Sequence, residues 1–407
     1  MDGLVLGIDL CDEYTQISCM QEEKSWTVPT VICKQKNTDE WYIGEEAYAH
    51  TLIGDGIIVD KLVKLLIKDG TATLGENRYT GLKLLELFVK KLLELPEQEY
   101  ATMHFKQLVF TVRKLSPKLI EALYACCGKL EIPRQRVHVL SHTESFVYYV
   151  LSQKREIWNN LVGMFDLSED RLCYYEMKVN RGLKKNTIVA EYENLEEGFN
   201  LDILENPSGA RLADKILCSC GERLMNKKLY SSVFLCGKGF REQDWAEDFM
   251  KLVCSKRRVY METELFAKGA AYKAADYLNE KTSYPFTFIC EGRLHTTVSM
   301  PVRQRSGETS VVVAAAGDSW YENDALFEVI PDNQETVDFV LTTLDSRNKR
   351  LIRIPLEGFP RRPNRTTKVE VRVSFLDDRT MEVVLKDQGF GELFPATDIK
   401  IRQEVML

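Results

Sequence analysis

The sequence predicts an α/β domain over residues 1–281 followed by an all-β sandwich over residues 282–407. Three observations lead there. At 407 residues the chain exceeds what one hydrophobic core usually serves, so two domains are the prior. Two apolar runs, Leu4 to Leu10 and Leu161 to Leu167, both end in Asp-Leu, and strands separated by helices follow each, the pattern of parallel sheets. Near Thr282-Ser283-Tyr284-Pro285 that alternation gives way to short strands separated by turn residues.

The N-terminal elements follow in order. After the first hairpin, Val28 to Cys33 reads as a strand, and Trp41 to Ala47 as a strand running into a helix. A helix is expected from Ile57 to Ile67. Leu82, Leu85, Phe88, Val89 and Leu92 recur at helical spacing between Thr80 and Leu95, with Pro96 as the stop. Leu108 to Val112 is a buried strand of β-branched and aromatic residues. Ser116-Pro117 caps and opens the next helix, which stops near Gly128. Val137 to Leu140 is a strand, and a helix runs through Phe146 to Tyr149.

The second Asp-terminated strand continues into a hairpin through Tyr174 to Met177. Ala210 to Leu224 is a helix with Leu212, Ile216 and Leu224 turned inward, Ser232 to Gly239 a strand ending in a glycine turn, and Glu264 to Ala271 a helix. The β region then carries strands at Thr309 to Ala314, Leu326 to Ile330, Val337 to Leu341, Leu351 to Ile354, Lys368 to Phe375 and Met381 to Leu385.

Composition narrows the function classes. Hydrophobic content of 44% and charged content of 28% fit an ordinary soluble globular protein. A net charge of -7 argues against a dedicated nucleic-acid binder, which would need a basic excess. No apolar run approaches the roughly 20 residues of a membrane span, so no membrane partner is expected and the cytoplasm is the default location. Of eleven cysteines most, including the adjacent Cys126 and Cys127, sit inside apolar patterns; Cys218 and Cys220 form the one close pair with chemical character and have no matching second pair, and with five scattered histidines, reduced structural thiols are expected and a zinc site is not.

Several motifs resemble a known family. Gly7-Ile8-Asp9-Leu10 looks most like DnaK-type heat-shock chaperones, and the two hairpins that begin at Asp9 and Asp166 resemble the paired phosphate loops of the actin-like ATPase superfamily. Val28 to Cys33, then Gly44-Glu45-Glu46-Ala47, is similar to a Pro-Ser-Val-Val strand and Gly-Glu-Glu-Ala turn of that family. Ser232 to Gly239 and Glu264 to Ala271 resemble its adenosine-loop and second connecting motifs, and Ile354 to Pro360 with Val369 to Val383 its substrate-binding β-domain. The resemblance implies an actin-like (ribonuclease H-like) domain in two lobes, residues 1–160 and 161–281, followed by a chaperone-like β-sandwich. It implies ATP or ADP with magnesium as cofactor. Gly7, Asp9, Asp166, Gly237, Lys238, Gly239 and Gly269 would be nucleotide-binding positions, with Asp9 and Asp166 holding the metal.

The departures from that pattern matter as much. A phosphate hairpin needs backbone N–H groups close to the anion, which glycine permits. Here Cys11, Asp12 and Glu13 fill the first turn and Ser168, Glu169 and Asp170 the second, so carboxylates would repel a triphosphate. The subdomain that clamps adenine looks reduced, Asn279 to Tyr284 replaces the apolar linker, and a helical lid is not expected. Asp9 and Asp166 would then be strand-end acceptors of turn hydrogen bonds. Alternatively Asp9, Asp12, Asp166, Glu169 and Asp170 hold a divalent cation through oxygen. His142, where the family has a glutamate, is a base or a helix-start packing group. Lys61 and Lys64 lie where a family lysine could arise, or are solvated. Lys238 approaches a phosphate or is exposed. Arg361, Arg362 and Arg365, with Arg347, Lys349, Arg350 and Arg353, make the β-domain locally basic, a face for an acidic partner or for water.

The expected function is a DnaK-like binding or scaffold module without ATP turnover, engaging a polypeptide through the β-domain. The competing expectations are an ATPase with a rebuilt phosphate site and an actin-like filament or cell-morphology protein.

Overall fold

The computed structural model describes residues 3–102, 104–168, 171–182, 186–242, 244–304, 307–344 and 348–407. The chain divides at Phe286/Thr287 into two compact units, a little beyond the expected boundary at 281/282.

In the first unit, β1 (Leu4–Leu10), β2 (Tyr14–Cys19) and β3 (Ser25–Pro29) form an antiparallel meander. There follow β4 (Ile32–Gln35), β5 (Trp41–Ile43), α1 (Gly44–Leu52), β6 (Gly56–Val59), α2 (Leu62–Ile67), β7 (Thr71–Leu74), β8 (Asn77–Thr80) and α3 (Gly81–Tyr100). The chain then returns through β9 (Phe105–Val112), α4 (Pro117–Lys129), β10 (Val137–Ser141) and α5 (His142–Leu151). The sheet order is β10-β9-β1-β2-β3, with β9 and β10 parallel to β1.

A second cycle repeats this plan. It contains β11 (Leu161–Ser168), β12 (Arg171–Arg181), β13 (Asn186–Asn194), α6 (Pro207–Met225), β14 (Tyr230–Cys236), α7 (Glu247–Cys254), β15 (Arg258–Met261) and α8 (Leu265–Asp276). Strands run β15-β14-β11-β12-β13, again a meander on one side of the founding strand and parallel strands on the other. β1 is buried along its whole length, as a central strand covered on both faces must be. All ten residues of α5 are buried too, which marks a helix enclosed on every side.

α8 packs on β1 and on α5. Two glycines permit it: a Cβ at Gly7 would overlap the α8 backbone at Ala267 and Ala271, and one at Gly269 would overlap the carbonyl oxygen of Ser145. Phe88, Phe110, Phe146, Phe165 and Phe234 fill the interior, each contributing roughly 1.5–3 kcal/mol of burial free energy.

Four local expectations need correction. Val28 to Cys33 is two strands, broken after Pro29. Ile57 to Ile67 is not one helix: Gly56–Val59 pairs with β4, and Lys61, at φ 51°, turns the chain into a shorter helix. Its Ile-Ile-Val run prefers the pleat to the helix. Pro96 lies inside α3 rather than ending it, buried beside Leu92 and Leu93, and the last turn is tied down by the Tyr100 hydroxyl donating to the Gln21 carbonyl at 2.9 Å. Leu212 points to solvent, because Ala213, Leu217, Cys220 and Leu224 define the inward face of α6.

The second unit contains β16 (Thr287–Ile289), β17 (Thr296–Gln304), β18 (Gly307–Ala314), β19 (Ala325–Val329), β20 (Thr336–Thr343), β21 (Lys349–Pro355), β22 (Val369–Phe375), β23 (Thr380–Asp387) and β24 (Lys400–Met406). Two antiparallel four-stranded sheets result, β18-β17-β20-β21 and β19-β22-β23-β24. Along β22, Val369, Val371, Val373 and Phe375 are buried and their neighbours are not, the period-two signature of a sheet with one covered face. β16, β17 and β24 were not anticipated from the sequence.

Candidate functional site

The carboxyl ends of the parallel strands of both repeats meet at one small cavity of about 70 Å³. Asp9 is the penultimate residue of β1, Arg113 follows β9, His142 follows β10, Asp166 lies two residues before the end of β11, Cys236 ends β14 and Gly237 follows it. Open α/β sheets offer their ligand crevices at such strand ends. The volume holds a few waters; small-molecule pockets take roughly 300–1,000 Å³.

His142 is the first residue of α5, placed by Ser141, whose Oγ accepts the Glu144 N–H at 3.1 Å. The imidazole is 1% exposed and stacks on Phe266 with ring centroids 3.9 Å apart. Its Nε2 lies 2.7 Å from Oδ1 of Asp9, the distance of an N–H donating to a carboxylate. Its Nδ1 is buried with no hydrogen-bond partner. The Cys11 thiol donates to the same Asp9 oxygen at 3.5 Å and stands 3.7 Å from His142 Nε2. On the other side Ser168 Oγ donates to Asp166 Oδ1 at 3.3 Å and accepts from Arg113 Nη2 at 3.3 Å.

The electrostatics follow from burial. Burial raises Asp166 above the usual carboxylate range, although Arg113 and His142 pull the other way. Burial and the Asp9 carboxylate hold Cys11 well above the ordinary thiol value, so it is a neutral thiol. Burial works against the Arg113 charge, but the nearby acids, Asp166 and then Glu13, favour it, and the guanidinium stays ionised.

Among the described residues the expected oxygen-lined cation pocket is not formed. Asp12 faces away, its Oδ1 accepting the backbone N–H groups of Val63 and Lys64 at 2.9 and 3.1 Å. The acid in the first turn therefore caps α2 instead of facing an anion. Glu169 and Asp170 lie outside the described residues. Asp9 and Asp166 share the cavity as anticipated, but Asp9 contacts an imidazole and a thiol, a poor set for magnesium, which requires near-octahedral oxygen. Magnesium with ATP or ADP does not fit this arrangement.

Gly237, at φ 91° against the Leu167 carbonyl, lines the cavity with Lys238. Lys238 is exposed, and its ammonium lies 5.6 Å over the Tyr14 ring. Gly7 and Gly269 serve α8 packing, and Gly239 packs against Leu167 and Leu201. Lys61 and Lys64 belong to the start of α2, where the Lys64 backbone meets Asp12. Cys11 and Arg113 were missed as functional residues. The signal for Arg113 was a charge directly after a buried strand.

Cys11, His142 and Asp9 do not form a nucleophilic triad. Such a triad needs the carboxylate on one imidazole nitrogen and the thiol on the other. Here both meet Nε2.

In the second unit a wider groove of about 820 Å³ opens between 331–336 and 355–367, with Leu356, Phe359, Pro360 and Pro363 in its wall. The basic residues beside it are largely neutralised. Arg362 forms a bidentate pair with Asp387 at 2.6 and 2.8 Å, both side chains buried, while Arg365 pairs with Asp332 and Arg353 with Asp338. Arg350 donates to the Met406 carbonyl. Arg361 and Lys349 are exposed, and Arg347 lies outside the described residues.

No helix is long and apolar enough to cross a membrane among the described residues. A model described as the C-terminal part of a family of unknown function (DUF5716) matches residues 13–291. A second, described as a domain of unknown function (DUF8552), matches residues 293–407. No curated protein matches this chain.

Proposed function

This chain belongs to the family of unknown function DUF5716, and we propose that it is a DnaK-like scaffold module with an actin-like core whose nucleotide cleft is closed by its own side chains. One observation carries the reading. The two strand-end carboxylates that would organise a metal–phosphate complex are engaged by His142, Cys11 and Ser168 around a cavity of about 70 Å³.

The repeated strand order, with α8 packed on β1 and α5, supports the actin-like part. The two antiparallel sheets of the second unit support the chaperone-like sandwich. Its apolar and proline-walled groove suits an extended polypeptide, and the pairing of the neighbouring arginines favours apolar and backbone recognition over charge.

Thermal unfolding with and without millimolar magnesium-ATP or magnesium-ADP tests the closed cleft. A ligand at 100 times its Kd adds about 2.7 kcal/mol of stability, so no shift in Tm is expected and a shift of several degrees would overturn the proposal. Fluorescence anisotropy of labelled extended peptides with the full chain tests the groove; saturable binding weakened by Phe359→Ala is expected.

A further inference from the structure

We propose that Asp9, Cys11 and His142 form a zinc site, with a water in the fourth position facing the cavity. Their donor atoms already stand as a ligand triangle: Sγ to Oδ1 3.5 Å, Sγ to Nε2 3.7 Å and Nε2 to Oδ1 2.7 Å. Zinc bonds of about 2.0–2.3 Å to oxygen, nitrogen and sulfur give a tetrahedron with edges of about 3.3–3.6 Å. Two edges fit as they stand. The third opens by roughly 0.6 Å as the imidazole proton moves from Nε2 to Nδ1, the nitrogen without a hydrogen-bond partner, and the N–H···O bond is replaced by two bonds to the ion.

The donor set selects the metal. Thiolate and imidazole are soft and borderline ligands that suit zinc and not magnesium or calcium. Three protein ligands beside a small water-sized space leave one open coordination position. The ligands are held in place: Asp9 is the penultimate residue of a fully buried strand, Cys11 follows that strand, and His142 is fixed by the Ser141 cap and by stacking on Phe266. The charges balance as well. Binding releases the Cys11 proton, so carboxylate and thiolate neutralise the ion, while Arg113 faces Asp166 across Ser168. The spacing hides this site from sequence inspection, because Cys11 and His142 are 131 residues apart.

The full chain, stripped with a chelator and supplied with zinc or cobalt chloride, is the test. One ion per chain is expected, with the cobalt form showing a thiolate-to-metal charge-transfer band and intense tetrahedral d–d bands. Cys11→Ser abolishes the charge-transfer band, and His142→Gln weakens zinc by at least about tenfold, while Cys254→Ser, at an exposed thiol, leaves both unchanged. Should the site variants fail to fold, zinc protection of Cys11 from alkylation in the unmodified chain, mapped by mass spectrometry, decides the matter. No zinc uptake by the folded chain, an undiminished band in Cys11→Ser, or unprotected Cys11 would each refute the site. These readouts need no nucleotide, so they stand or fall separately from the closed-cleft reading.

Discussion

Asp387 shows how one side chain governs the stability of the second unit. It is fully buried and accepts from Arg362, from the Gly389 and Thr397 backbone and from the Thr397 hydroxyl. Arg362 holds its carboxyl well below the usual carboxylate range, despite burial. Removing one partner of such a pair leaves a buried charge uncompensated, so Arg362→Ala is expected to cost about 3–5 kcal/mol in denaturant unfolding. A lowered native value also means stability that is present above the ordinary carboxylate range and lost as pH falls below it. Between about pH 4 and pH 2 the unmodified chain should therefore lose stability more steeply than Asp387→Asn. The sequence showed Arg362 only as one member of a basic cluster. Its partner lies 25 residues away, and nothing local marks the pair.

At the scale of elements, two short helices are started by carboxylates from elsewhere in the chain. Asp12 caps α2 across 51 residues, and Asp214 accepts the Asp248 and Phe249 N–H groups at the start of α7. Neither helix has a side-chain cap of its own. Asp12→Ala and Asp214→Ala should each cost about 1 kcal/mol, with faster amide exchange in the dependent helix alone. The capping of α4 by Ser116 was legible because an N-cap and its helix are contiguous. That of α2 was not, since Asp12 reads as a turn acid until the fold brings it to Val63. β-branched runs were misjudged for a similar reason: Ile57, Ile58 and Val59 become strand only because β4 lies alongside them.

For the whole molecule, the order of elements was more legible than any contact. Strand and helix alternation, carried by apolar runs such as Leu4 to Leu10, fixes much of the two repeated cycles. The cavity depends on convergence of strand ends from both cycles, which periodicity does not encode. The paired aspartates, His142, Gly237 and Lys238 pointed to it, while Cys11 and Arg113 did not stand out. The architecture predicts a gradient of protection. β1, β9, β11 and β14, central in their sheets, should exchange amide hydrogens most slowly, and the edges β3, β10 and β15 fastest, by native-state exchange with mass spectrometry. The tether from Asp12 to α2 carries a consequence for any redesign of the first turn. Glycines placed at positions 11–13 would unfasten that helix, so opening the turn towards an anion would cost the chain stability. A bend that doubles as a brace cannot be remodelled without loosening what it holds.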